Sequence, residues 1–279
     1  MKTKKPRKPF LERSPWKYFR EKKTVLTVYI VLRILVIATM IWELLRGRYE
    51  NVFVCVLTLI LFVIPSLLEK RLHIDLPNAL EIIILLFIFA ADILGEIQEY
   101  YVLVPHWDTW LHTINGFLFA AIGFSIVNIF NENKHISMSL SPLYMAIAAF
   151  CFSMTIGILW EFFEWAGDCL LGLDMQKDTV MTAISSVKLH PEGRNDPVAL
   201  KNITEVIVVT ADGTQHALGL GGYLDIGLQD TMKDLLVNLI GAVVFSVIGF
   251  FYVRSKGQGR FARHFIPQVH EDSPAAENS

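Results

Sequence analysis

Four apolar stretches of this sequence carry acidic, imidazole and amide side chains at helical spacing. Asp92, Glu96 and Glu99 stand at i, i+4 and i+7, and Asp108, His112 and Asn115 repeat that interval. Glu161, Glu164 and Asp168 follow at i, i+3 and i+7, and Asp230, Asp234 and Asn238 at i, i+4 and i+8. With 3.6 residues per turn, each set falls on one helix face. An ionisable group at the middle of a membrane helix costs about 2.5–3.5 kcal/mol on insertion scales, and such groups are functional by default. Nine carboxylates cannot all be ionised and uncompensated in a low dielectric. They need protons, a bound cation, or Lys233, one turn from Asp230.

Carboxylates with one imidazole are ligands for Mg, Mn, Fe or Zn, and unsuited to copper(I). On this reading the metal set is Asp92, Asp108, His112, Glu161, Glu164, Asp168, Asp230 and Asp234. Glu161 or Glu164 is the catalytic general base, and Glu96, Asn115 and Asn238 complete a polar layer. The layer contains no Glu-x-x-His pair of the kind typical of two-metal helix bundles, and it has a single histidine. A plainer account covers part of the set. Glu99, Asp108, Asp168 and Asp230 lie at span ends, where water or the helix macrodipole accommodates an acid.

The elements that must position these residues are membrane helices. The chain has 279 residues, 53% of them hydrophobic and 19% charged, with a mean hydropathy of +0.44. Soluble domains average about 45–50% apolar and about 25% charged residues. Six runs are long and apolar enough to span: 24–45, 51–68, 79–99, 108–130, 142–166 and 231–253. The expected fold is therefore all-α, a polytopic bundle of about six helices. The basic lead before the first run is too long for a cleaved signal peptide, so that helix is expected to be retained. Spans three to six are expected to form one bundle with converging polar faces, with spans one and two packed outside it. Cys55, Cys151 and Cys169 form neither a disulfide framework nor a zinc signature. No nucleotide-binding loop or serine-nucleophile elbow is present.

Charge sets the expected orientation. Residues 1–23 hold ten Lys/Arg against Glu12 and Glu21. Placing both termini in the cytoplasm puts 17 basic residues inside and six outside, as the positive-inside rule demands. The domain plan is then a basic tail over 1–23, helices one to five over 24–169, an extracytoplasmic loop over 170–229, the sixth helix over 230–253, and a cytoplasmic tail over 254–279. All four polar faces fall in the outer leaflet. Within the loop, two β-prone runs flank Asp212-Gly213 and predict a small β-hairpin.

Asp108-x-x-x-His112, Trp160-Glu161-x-x-Glu164-Trp165 and Asp230-Thr231-x-x-Asp234, in that order on successive helices, resemble the YjdF-like family of uncharacterised bacterial inner-membrane proteins. The resemblance covers roughly residues 80–253, and the long 173–229 loop departs from it. It implies a multi-pass protein of the bacterial cytoplasmic membrane and supplies no reaction. The residues themselves favour, first, an enzyme whose acidic site binds a divalent cation and acts on a lipid-linked or amphipathic substrate. A cation- or proton-coupled transporter comes second and a structural or assembly protein third. The expected partners are membrane lipid and a small cation or lipid-linked substrate, with no nucleic acid.

Overall fold

A computed structural model describes residues 22–72, 74–132, 140–255, 264–266 and 268–269. Most of the basic tail, the loop after the fourth span and most of the C-terminal tail lie outside the described residues. The chain divides into two compact units, residues 1–157 with 237–279, and residues 158–236.

The first unit is helical. It contains α1 (Lys23–Leu45), α2 (Tyr49–Leu61), α3 (Ile64–Leu72), α4 (Asn78–Phe89), the short α5 (Tyr100–Leu103) and α6 (Trp107–Glu132). Parts of α7 (Pro142–Leu171) and α8 (Leu228–Arg254) complete it. Lipid offers no hydrogen bonds to a bare backbone, so an apolar run of this length forms a helix that pairs its own N–H and C=O groups. Among the described residues, five stretches are long and apolar enough to cross a membrane: Lys23–Leu45, Tyr49–Leu67, Trp107–Asn128, Pro142–Leu171 and Leu228–Arg254. Their surfaces present exposed apolar side chains such as Ile34, Ile60, Ile147 and Val247. That is the pattern expected where the solvent is lipid.

The expected third span, 79–99, is not one α-helix. Twelve α-helical residues, Asn78–Phe89, pass into an eight-residue π-helix, Ala90–Ile97. The Gln98 N–H bonds to Ile93 O at 3.0 Å, five residues back. Gly95 allows the wider coil to pack closely, because a Cβ there would lie 2.4 Å from the Tyr101 ring. π-Helical segments are rare and concentrate at functional positions, and this one carries Asp92 and Glu96.

Among the described residues, two cores hold the unit together. Leu118 and Phe124 of α6, Met145 and Ala149 of α7, and Ala242 and Phe245 of α8 form one. Phe245 packs edge-on to Phe117 and Phe124, with centroids 5.1 and 6.0 Å apart. Leu32 and Val36 of α1, Cys55 of α2, Leu85 of α4 and Ile93 of the π-helix form the other. Spans one and two thus share a core with the third span, and among the described residues that core takes no member from α6, α7 or α8.

The second unit holds the ends of α7 and α8 and the segment joining them. That segment contains three two-stranded antiparallel pairs: β1 (Val180–Met181) with β6 (Tyr223–Leu224), β2 (Ile184–Ser186) with β3 (Val198–Leu200), and β4 (Ile207–Val209) with β5 (Gln215–Ala217). The expected hairpin is the last pair, with Val208 opposite His216. Its turn closes where Thr210 N–H meets Thr214 O at 2.9 Å, with Gly213 at φ +85°. Only glycine takes that conformation without strain.

The Asp212 carboxyl is held down at about 2 by the Thr210 hydroxyl and then by the Thr214 backbone N–H and hydroxyl. An unperturbed Asp titrates at 3.8, so the folded value is depressed. Its contribution to the turn is complete above that value and disappears as pH falls toward 2. Amide exchange at Thr214 should therefore accelerate across this acid window in the wild type. An Asp212→Asn protein should show no such step.

Candidate functional site

In the first unit, His112 is buried on α6 with its Nε2 3.4 Å from Asp108 Oδ1, one turn earlier on the same helix. One turn further on, Asn115 Nδ2 donates to Asn238 Oδ1 at 3.3 Å, joining α6 to α8. Asn238 is 1% exposed, and Gly116 and Gly157 lie directly against it. Ser153 Oγ of α7 donates to Gly116 O at 2.7 Å. Residues expected to line one polar layer, His112, Asn115 and Asn238, thus stand on closely packed helices of this unit.

Asp92 is engaged elsewhere. Its Oδ2 accepts the Thr58 hydroxyl of α2 at 2.8 Å, and its charge is near enough to Glu96 for the two to repel. Glu96 and Glu99 are exposed and line a cavity of about 340 Å³ together with Arg48, Glu50 and Asn51. Beside it, Asn51 Nδ2 donates to the buried Glu43 Oε2 at 2.9 Å. At the opposite end of α1, Lys22 Nζ pairs with Glu69 and lies 2.6 Å from Glu81 Oε2. Glu69 also accepts the Leu76 N–H at 2.9 Å. Neither Glu43 nor the Lys22 cluster belongs to the acid sets read from spacing. Their carboxylates lie singly in the sequence, and the groups they meet are distant in the chain or on another element.

In the second unit, Asp168 and Asp230 hold backbone. Asp168 accepts the N–H groups of Met175 and Gln176 at 2.6 and 2.9 Å. Asp230 Oδ2 accepts the Lys177 N–H at 2.9 Å, and its Oδ1 lies 3.3 Å from Lys233 Nζ. Asp225 joins them by accepting from Thr179 and Gln229, both at 2.8 Å. These three carboxylates tie residues 175–179 to the ends of the two long helices. Asp234 is 1% exposed, with Lys233 Nζ 3.7 Å from its Oδ1. Glu164 accepts the Trp160 indole N–H at 2.8 Å.

Glu161 occupies a different setting. It is 4% exposed and lies on the wall of a cavity of about 440 Å³. Ile158, Phe162, Trp165, Ile226, Leu228 and Leu235 supply the apolar lining. Among the described residues, Gln176 and Thr231 are the other polar side chains of the lining, and Gln176 Nε2 donates to Thr231 Oγ1 at 2.5 Å. Spacing identified Glu161 but neither Gln176 nor Thr231. Gln176 reaches the cavity because Asp168 holds its backbone, and because Gly227 leaves room where a Cβ would lie 2.6 Å from Gln176 Cβ.

Ile226 adopts φ +58° and is 85% exposed. A β-branched residue in the left-handed region is strained by about 1–3 kcal/mol, a cost that clusters at ligand sites.

Several long apolar helices, with ionisable groups buried among them, define a polytopic helical membrane protein. Within that class the chain belongs to the family of predicted membrane proteins DUF2238, whose model matches residues 28–255. The match bears out the resemblance to an uncharacterised membrane family and extends it across the first two spans. No characterised protein and no solved structure matches the chain.

Proposed function

We propose that this protein is an enzyme of the bacterial cytoplasmic membrane that acts on an amphipathic, lipid-linked substrate, with Glu161 as general base. The supporting observation is the cavity: a buried carboxylate set in a largely apolar wall that includes the exposed aromatic residues Phe162 and Trp165. Ligand sites are usually concave and apolar with a few convergent polar groups. A carboxylate shielded from water is the setting in which enzymes hold a general acid or base. Of the two glutamates with the right spacing, Glu161 lines the cavity, whereas Glu164 is bonded to the Trp160 indole. With both termini cytoplasmic, the cavity opens at the outer leaflet, where lipid-linked substrates are accessible.

A divalent cation is a separate part of the proposal, and in the first unit the Asp108–His112 pair is the candidate that would hold it. That pair offers a carboxylate oxygen and an imidazole nitrogen from one helix turn, a mixed set that zinc or manganese takes.

The test is lipid turnover by purified protein in nanodiscs of bacterial lipid extract, followed by mass spectrometry with Mn, Zn or Mg added. The wild type should generate a product, and Glu161→Gln should slow it by roughly 10²–10⁴-fold, the usual contribution of a general base. Wild-type turnover by Glu161→Gln, or no product from the wild type with any ion, would overturn the proposal.

A further inference from the structure

Resting on the reading of the Glu161 cavity as an amphiphile site, we infer that the head group it takes is a hydrogen-bond donor without negative charge, a hydroxyl or an amine. Among the described residues that line it, none is Lys, Arg or His. The polar groups that converge there are the Glu161 carboxyl, the Gln176 amide and the Thr231 hydroxyl. The Gln176 N–H₂ is already directed at Thr231, which leaves its carbonyl oxygen available to accept. Ionised, Glu161 is an acceptor only. The cavity thus presents acceptors to a head group, and its described lining carries no fixed positive charge.

A phosphate or carboxylate head placed here meets either an ionised Glu161, which repels it, or a neutral one in walls that cannot solvate an anion. A hydroxyl or ammonium donates to Glu161 and to the Gln176 carbonyl. The chain then lies along Phe162, Trp165 and Ile226, all more than half exposed. The selection is electrostatic, since like-charge juxtaposition discriminates by far more than apolar contact does.

The test compares hexadecanol, hexadecylamine and hexadecyl phosphate against full-length protein in phosphatidylcholine nanodiscs with EDTA. Binding is read by native mass spectrometry and by the shift in melting temperature. The alcohol and the amine should bind about 100-fold more tightly than the phosphate. Leu235→Trp, which fills the cavity, should remove the binding. Glu161→Gln should weaken the amine most and narrow the gap to the phosphate.

Equal binding of all three probes in EDTA would overturn the inference while leaving an amphiphile site in place. So would tight binding of the phosphate that appears only with Mn or Zn. Binding that persists in Leu235→Trp, or no binding of any probe by the wild type, would remove both the inference and the reading beneath it. The wild-type comparison decides the matter even if a variant fails to fold.

Discussion

Replacing Gly241 by Val should abolish accumulation of folded protein in the membrane. A Cβ at Gly241 would stand 2.1 Å from the Thr113 carbonyl oxygen and 2.8 Å from the Phe117 nitrogen. Both are backbone atoms of α6, so no rotamer change relieves the clash. Gly116 makes the reciprocal contact, with its missing Cβ 2.0 Å from Asn238 O. Small residues at a membrane helix crossing let backbones approach closely, and packing supplies the association there because lipid is as apolar as the side chains.

Forcing these helices apart also breaks the Asn115–Asn238 hydrogen bond. Overpacking costs typically 1–3 kcal/mol with a movable neighbour, so a backbone clash should cost about 3 kcal/mol or more. Val243 of the same helix is exposed, and Val243→Ala should change stability by less than about 0.5 kcal/mol. Thermal unfolding in detergent, followed by size-exclusion chromatography, measures both. A Gly241→Val protein with wild-type yield and melting temperature would contradict the close crossing.

The second large effect is expected at Lys22. Its ammonium lies between Glu69 and Glu81, with side-chain exposures of 11%, 5% and 10%. Removing one member of a buried ionic group costs about 3–5 kcal/mol, because the charge left behind cannot regain water. Lys22→Met leaves two carboxylates facing each other and should destabilise by that amount. Lys23→Met, at the exposed neighbouring position, should be nearly neutral.

Adding Glu69→Gln to Lys22→Met should recover part of the loss, since it removes one of the two like charges. A double variant no more stable than Lys22→Met would mean that the carboxylates do not repel, contrary to the observed geometry. The measurement is the unfolding midpoint of each variant in the same detergent.

The membrane class was legible because it is a local property. In lipid each apolar run must satisfy its own backbone, so its length and composition already dictate a helix. The helical phase of Asp108 with His112 was legible for the same reason, because residues four apart on a helix are neighbours whatever surrounds them. The Asp-Gly turn was legible because the backbone conformation at Gly213 is a property of that residue.

The partner of each acid was not legible. Spacing put Asp168 and Asp230 in one ligand set with Glu161, yet they accept hydrogen bonds from the backbone of residues 175–177. The N–H groups of any irregular segment are alike in sequence, and only the path of the chain decides which carboxylate they reach. Lys22 and Glu81 are 59 residues apart, and no periodicity joins them. The π-helix at Ala90–Ile97 was hidden for a related reason. Its apolar pattern is that of an α-helix, and the wider coil shows only in the Gln98 N–H bond to Ile93 O and in the contact of Gly95 with the Tyr101 ring. The Glu161 cavity combines both kinds of information. Helical spacing marked Glu161, whereas Gln176, Thr231 and the strained Ile226 come to it through chain reversals that tertiary contacts hold in place.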